Sequence, residues 1–173
     1  SIAHSYAGVQ ALSGVNLSVG AGKVVGLIGP DGAGKSTMLK IVAGRLKPDK
    51  GVVCFDGKEV NALPLWVRVR KGVAYLAEEA PLVHELTVED NLMVAARSMP
   101  NAAETIRTVM EDRSIASLAR VKARSLDEGQ RRTVELARAV IVPPKLIVMD
   151  EPFRGLDRDR IEVVQRTIQE WAA

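Results

Sequence analysis

Aromatic rings are scarce in this sequence. Tyr6, Phe55, Trp66, Tyr75, Phe153 and Trp171 are the whole set, 3% of 173 residues. Any core must therefore be packed by Val, Leu, Ile, Met and Ala, and recognition of nucleic acid through stacked aromatic platforms is disfavoured. Cysteine is scarcer still: Cys54 stands alone, which allows no intrachain disulfide and fits a reducing cytosol. No apolar run approaches the roughly 18 residues a membrane span needs. The stretch from Ser1 to Gly22 carries no formal charge and lacks the basic start and apolar block of a secretory leader, so none is expected. Repeats and low-complexity segments are also missing.

What is present is ordinary for a globular chain. Hydrophobic residues make up 47% and charged residues 26%, enough to bury a real core, and the length suits one domain. Lys and Arg (24) exceed Asp and Glu (21) by 3. That surplus suits a polyanionic ligand without requiring one.

Strand and helix signals alternate through the first half. Val15, Leu17 and Val19 alternate as in a half-buried strand, and Val24 to Ile28 is the short apolar run of a buried one. A turn-rich loop follows, then a helix from Ser36 to Val42 stopped by Gly44. Val52 to Phe55 predicts a strand ending at the Asp56-Gly57 turn, and Val73 to Leu76 another after a helix around Pro64 to Arg70. This alternation predicts an α/β core with a mostly parallel sheet.

Residues 87–141 read differently, as three helices in succession. Thr87 with Asp90 has the spacing of a capping box, and Val88, Leu92, Ala95 and Met99 share a helical face. A second helix is expected over Ala102 to Ala119, and a third from Leu126 to the Pro143-Pro144 stop. Leu146 to Met149 then gives a last buried strand and Asp157 to Trp171 a last helix. The expected organisation is an α/β core of residues 1–86 and 142–173 with an inserted helical subdomain, 87–141.

Two motifs carry chemistry. Gly29, Pro30, Asp31, Gly32, Ala33, Gly34, Lys35 and Ser36 match G-x-x-x-x-G-K-[ST] in full, between an apolar run and a helix. Glycines let backbone N–H groups curl around phosphate oxygens, Lys35 reaches the β- and γ-phosphates, and the Ser36 hydroxyl suits Mg²⁺. Thr37 extends this candidate nucleotide-binding set. The second motif runs from Leu146 to Glu151, where a strand delivers two carboxylates at its carboxyl end, the edge at which α/β proteins bind ligands. Asp150 suits Mg²⁺, and Glu151 is the candidate general base for an attacking water, with Lys35 its partner in catalysis.

The middle of the chain narrows the class. Leu126-Asp127-Glu128-Gly129-Gln130, followed by Arg131 to Ala139, resembles the signature turn and helix of ABC ATPases. Glu151-Pro152-Phe153-Arg154-Gly155-Leu156-Asp157 is similar to that family's junction of Walker B and D-loop, and Val73 to Glu78 with Leu86 to Leu92 is similar to its Q-loop region. The resemblance covers nearly the whole chain, and within the family it is closest to the ATPases of branched-chain amino-acid import and lipopolysaccharide export. It implies a P-loop NTPase fold, ATP with Mg²⁺ as cofactors, and Tyr6 as the adenine-stacking ring. It further implies Glu78 as a Q-loop metal ligand and Leu126, Asp127, Glu128, Gly129 and Gln130 as the site that meets ATP bound to a partner. The implied protein is an ATPase that couples hydrolysis to transport. It pairs as a homodimer or heterodimer and sits on the cytoplasmic side of the membrane against permease subunits.

The sequence departs from that pattern at four places. Glu78 stands where the family carries Gln, while Asp127 and Glu128 replace Ser and Gly and bring two carboxylates to where a partner's γ-phosphate arrives. Weak engagement of that phosphate is expected. The family's switch histidine belongs to a strand beyond the last helix here, and only His4 and His84 are present. A shortened or eroded ATPase with slow hydrolysis is the expectation. Two other readings stay open: a soluble ABC-type ATPase acting on nucleic acid or ribosomes, and a degenerate regulatory domain that only binds nucleotide. Direct nucleic-acid binding is not expected, because acidic residues lie between the basic clusters at Arg68–Lys71, Arg120–Arg124 and Arg131–Arg132.

Overall fold

The first turn of the chain is made by Ala7 and Gly8, both left-handed at φ 47° and 86°. Two successive positive φ angles match the twist of a tight hairpin, and they fold β1 (Ile2–Tyr6) antiparallel onto β2 (Val9–Val15). Asp56 and Gly57 repeat the device at φ 53° and 73°, joining β3 (Cys54–Phe55) to β4 (Lys58–Glu59). The computed structural model describes residues 1–78, 81–97 and 99–172. Its class is α/β, and strand pairing among those residues takes the form of three two-stranded ladders.

The chain forms two compact units. The first comprises Ser1–Val73 with the stretch from Val163 onward. Its core gathers Ile2 and Leu12 from the first hairpin with Met38 and Ile41 of α1 (Lys35–Ala43). Gly44 ends α1 in the left-handed region, as expected, and α2 (Leu65–Arg70) starts from Pro64, where the missing N–H costs nothing. Behind the carboxyl end of α1 lies Arg68, only 1% exposed. Its guanidinium donates to the carbonyls of Ile41, Val42, Val60 and Leu63 at 2.7–2.9 Å. A cation at the negative end of a helix is electrostatically favourable, and here it satisfies carbonyls the helix leaves over.

One expectation fails in this unit. Val24 to Ile28 lies in no strand, and Ile28 is 98% exposed. An apolar run buries both faces only when ladders form along it, and neither hairpin pairs with this one. The alternation at Val15, Leu17 and Val19 likewise marks the end of β2 rather than a strand of its own.

The second unit is Ala74–Glu162. Three helices, α3 (Val88–Ala96), α4 (Ala102–Asp112) and α5 (Glu128–Val140), close around Val88, Leu92, Ile106, Met110, Val134 and Ala137. Thr87 caps α3 in the box its spacing predicted, with Asp90 N bonded to Thr87 Oγ1 at 3.1 Å. The expected second helix is shorter than read, since α4 stops at Asp112 and a single 3-10 turn covers Ala116–Leu118. Buried Asn91 donates to the carbonyls of Val83 and Thr87 and accepts from Val83 N, fixing the turn before α3. β5 (Val73–Leu76) pairs with β6 (Leu146–Met149), so the strand bearing the acidic pair belongs with the helices in one unit. A last helix, α6 (Arg158–Ala172), follows. No helix among the described residues is long and apolar enough to cross a membrane.

Candidate functional site

In the first unit the phosphate loop leads directly into α1. Gly34 is the N-cap, left-handed at φ 86°, and no side chain caps the helix. A Cβ at Gly34 would lie 2.5 Å from Ala11 O and 2.8 Å from Leu12 Cδ2, so only glycine fits against β2. Gly32 is left-handed as well, at φ 80°, and Ala33 N closes the loop on Pro30 O at 3.2 Å. No acidic residue occupies the first turn of α1. An uncapped helix start with no carboxylate in its first turn suits an anion. Lys35 folds back over the loop, its Nζ donating to Gly29 O and Pro30 O, each at 2.9 Å.

Tyr6, also in this unit, is 47% exposed at the end of β1. The His4 ring stands edge-on to it, with centroids 4.8 Å apart and planes at 85°. His4 is buried, and its Nδ1 lies 3.2 Å from Asp49 Oδ1. Asp49 Oδ2 accepts from Ser5 N at 2.8 Å, and main-chain bonds between Ala3 and Lys50 hold the same corner.

The acidic pair lies in the second unit. Asp150, 2% exposed, follows β6, and its N–H bonds to Leu76 O at 2.8 Å. Glu151 is exposed and left-handed at φ 48°, a region non-glycine residues seldom occupy. Its carbonyl accepts from Arg154 N at 3.2 Å and from Arg132 Nη2 at 3.0 Å. Glu78, the expected Q-loop metal ligand, is ion-paired with Arg154.

The signature residues open α5 in a way the sequence did not suggest. Asp127 is the N-cap, its Oδ1 accepting from Gln130 N at 2.9 Å while Gln130 Oε1 accepts from Asp127 N at 3.1 Å. Asp127 Oδ1 also lies 3.4 Å from Arg160 Nη2. Much of this carboxylate is thus occupied within its own chain. Leu126 and Gly129 are buried, and Glu128 is exposed beside Gly155. Glu128 and His84 line a charged groove of about 340 Å³ with Arg131 and Arg154.

Arg132 and Asn91 were not singled out as functional or structural residues by sequence reading. A signal existed for Arg132: it and Glu135 fall on the buried face of α5 at i,i+3 with opposite charge.

Each unit carries a hard oxygen of the kind a divalent cation accepts, the Ser36 hydroxyl in the first and the buried Asp150 carboxylate in the second. Among the described residues no cluster of three or more acidic, His or Cys side chains forms a cage. Hard oxygens are the donors Mg²⁺ takes, usually one or two from protein together with substrate phosphates.

Comparison with known proteins places the chain. A family model described as ABC transporter matches residues 12–154. The lipopolysaccharide export system ATP-binding protein LptB of Escherichia coli K12 is 37% identical over 173 residues, covering 97% of this chain and 72% of its own. A probable ABC transporter ATP-binding protein of Azorhizobium caulinodans is 36% identical and is covered over 61% of its length. Among solved structures, the ATP-binding cassette MJ1267 superposes with a TM-score of 0.91 at 28% identity, over 99% of this chain and 74% of that one.

Proposed function

The chain belongs to the ABC transporter family of ATP-binding proteins, and from that premise we propose that Lys35, Ser36, Asp150 and Glu151 are its hydrolytic residues. As a member it is an energy-coupling ATPase. The observation that carries the residue assignment is the uncapped start of α1, with Gly32 and Gly34 left-handed and Lys35 poised over the loop.

Each residue then has a role. Lys35 exchanges its bonds to Gly29 and Pro30 for the β- and γ-phosphate oxygens. Backbone N–H groups at the start of α1 receive the remaining charge. Ser36 and Asp150 would hold Mg²⁺, which when bound would neutralise charge developing on the phosphates. Glu151 accepts a proton from the attacking water. Tyr6 supplies a flat, half-exposed face for the base.

The chain works as one of a pair, each signature turn meeting the ATP of the other subunit, on the cytoplasmic face of a membrane permease. Similarity to LptB makes an exporter of lipopolysaccharide type the first system to test. Asp127 and Glu128 weaken this chain's half of the exchange, because both carboxylates lie at the turn that meets the γ-phosphate.

The test is phosphate release by the purified chain with MgATP, beside nucleotide affinity. Lys35→Ala should lose binding, and Glu151→Gln should bind ATP without hydrolysing it. Turnover by Glu151→Gln at the unmodified rate rejects the assignment of the base. Co-purification with a multi-span membrane protein tests the partner.

A further inference from the structure

We propose that Arg132 is the positioning residue for Glu151, holding the main chain from which the general-base carboxylate projects; this rests on the role given to Glu151 above. Arg132 is 7% exposed on α5. Its Nη2 donates to Glu151 O at 3.0 Å and its Nε to Pro152 O at 3.2 Å. The third nitrogen, Nη1, meets Glu135 Oε2 at 3.0 Å, and that carboxylate is itself buried.

A guanidinium is a planar, rigid fork, so three acceptors on three nitrogens fix its orientation as well as its place. Glu135 neutralises the charge, which lets a buried cation persist where an unpaired one would not. The two carbonyls it grips belong to the turn that most needs holding. Glu151 is left-handed without being glycine, and such a conformation survives only where its surroundings impose it. Pro152 has no N–H with which to anchor the turn itself, so external donors to the carbonyls must do so. Arg132 lies two residues after the last signature residue, Gln130, on the same helix, so a displacement of α5 is carried to the backbone of Glu151.

The experiment uses the full chain with single-turnover hydrolysis at saturating MgATP, and affinity for a fluorescent ATP analogue measured on the same variants. Arg132→Met should slow hydrolysis by about tenfold or more, the scale of a small misplacement of a reacting group. Affinity should change by less than about twofold, since binding and chemistry separate when only the base moves. Arg132→Lys keeps the charge opposite Glu135 but cannot span both carbonyls, so its rate should fall between the two. In a Glu151→Gln background, Arg132→Met should cause no further loss.

Unchanged hydrolysis by Arg132→Met, with Glu151→Gln inactive, overturns the positioning role and leaves the base in place. Wild-type turnover by Glu151→Gln instead removes the reading beneath both. Equal loss of rate and affinity in the Met and Lys variants marks Arg132 as merely structural. Should the Met variant not fold, the Lys variant carries the test. Its amide exchange at Arg154, whose N–H closes the turn on Glu151, should be faster than wild type, and unchanged exchange with an unchanged rate overturns the proposal.

Discussion

The guanidinium of Arg68 occupies the space a side chain at position 44 would need: a Cβ built on Gly44 falls 2.6 Å from Arg68 Nε and 2.9 Å from its Cδ. Gly44 is doubly constrained, being left-handed at φ 82° as well. Gly44→Ala and Arg68→Met should each destabilise the fold by roughly 2 to 4 kcal/mol, the first through strain and collision, the second through carbonyls left without donors. Chemical denaturation of the two variants measures this. Burial lowers the pKa of Arg68, yet an arginine so placed stays protonated at any working pH. The loss should therefore be the same at pH 6 and pH 8.

Replacing Asp127 by Ser and Glu128 by Gly should strengthen ATP-driven pairing. Ser is itself a good N-cap, so α5 should keep its start, with a loss of about 1 kcal/mol from the glycine placed in its first turn. Any gain then reports charge rather than helix content. Light scattering with and without MgATP decides, and pairing at the unmodified level counts against the idea.

Acid should loosen the start of α3. The Thr87 hydroxyl and backbone N–H bonded to Asp90 hold its carboxyl below the usual 3.8, against a smaller opposing effect of desolvation and with a still smaller contribution from Arg120. A carboxyl depressed in the folded state contributes stability above its unfolded value, and that contribution fades as pH falls through the folded one. Asp90→Ala should therefore melt below wild type at pH 7, with the gap closing as pH drops below 3.8. Thermal melts at both ends check the sign; a gap that widens in acid contradicts it.

His4 should matter for nucleotide although it lies beneath Tyr6. An edge-to-face ring pair is worth about 0.5 to 1.5 kcal/mol, so His4→Ala should weaken ATP binding by about two- to tenfold. Tyr6→Ala should weaken it further. Titration with a fluorescent nucleotide reads both, and wild-type affinity in His4→Ala removes the coupling.

The phosphate loop was legible in the sequence because everything it needs is local. Glycines at Gly32 and Gly34, a lysine and the helix that follows are set by spacing along eight residues. Thr87 and Asp90 were legible for the same reason. Val24 to Ile28 was not, since an apolar run announces a preference for burial and says nothing of which strand will lie beside it. Arg132 escaped notice because an arginine next to another arginine reads as solvated surface. Its burial depends on Glu135 and on two carbonyls about 20 residues away, a relationship no window along the chain contains. Asp127 was read as a signature carboxylate facing a partner's γ-phosphate, and its place as the N-cap of α5 was not legible in that reading.

The two bonds from Lys35 to its own loop make nucleotide binding an exchange rather than an addition. Phosphate gains the lysine only as Gly29 and Pro30 lose it, so the measured affinity is a difference between two competing sets of acceptors. A loop that satisfies its own cation while waiting holds its shape without ligand. The same two carbonyls compete with the product phosphate for Lys35 and so lower the affinity for it as well.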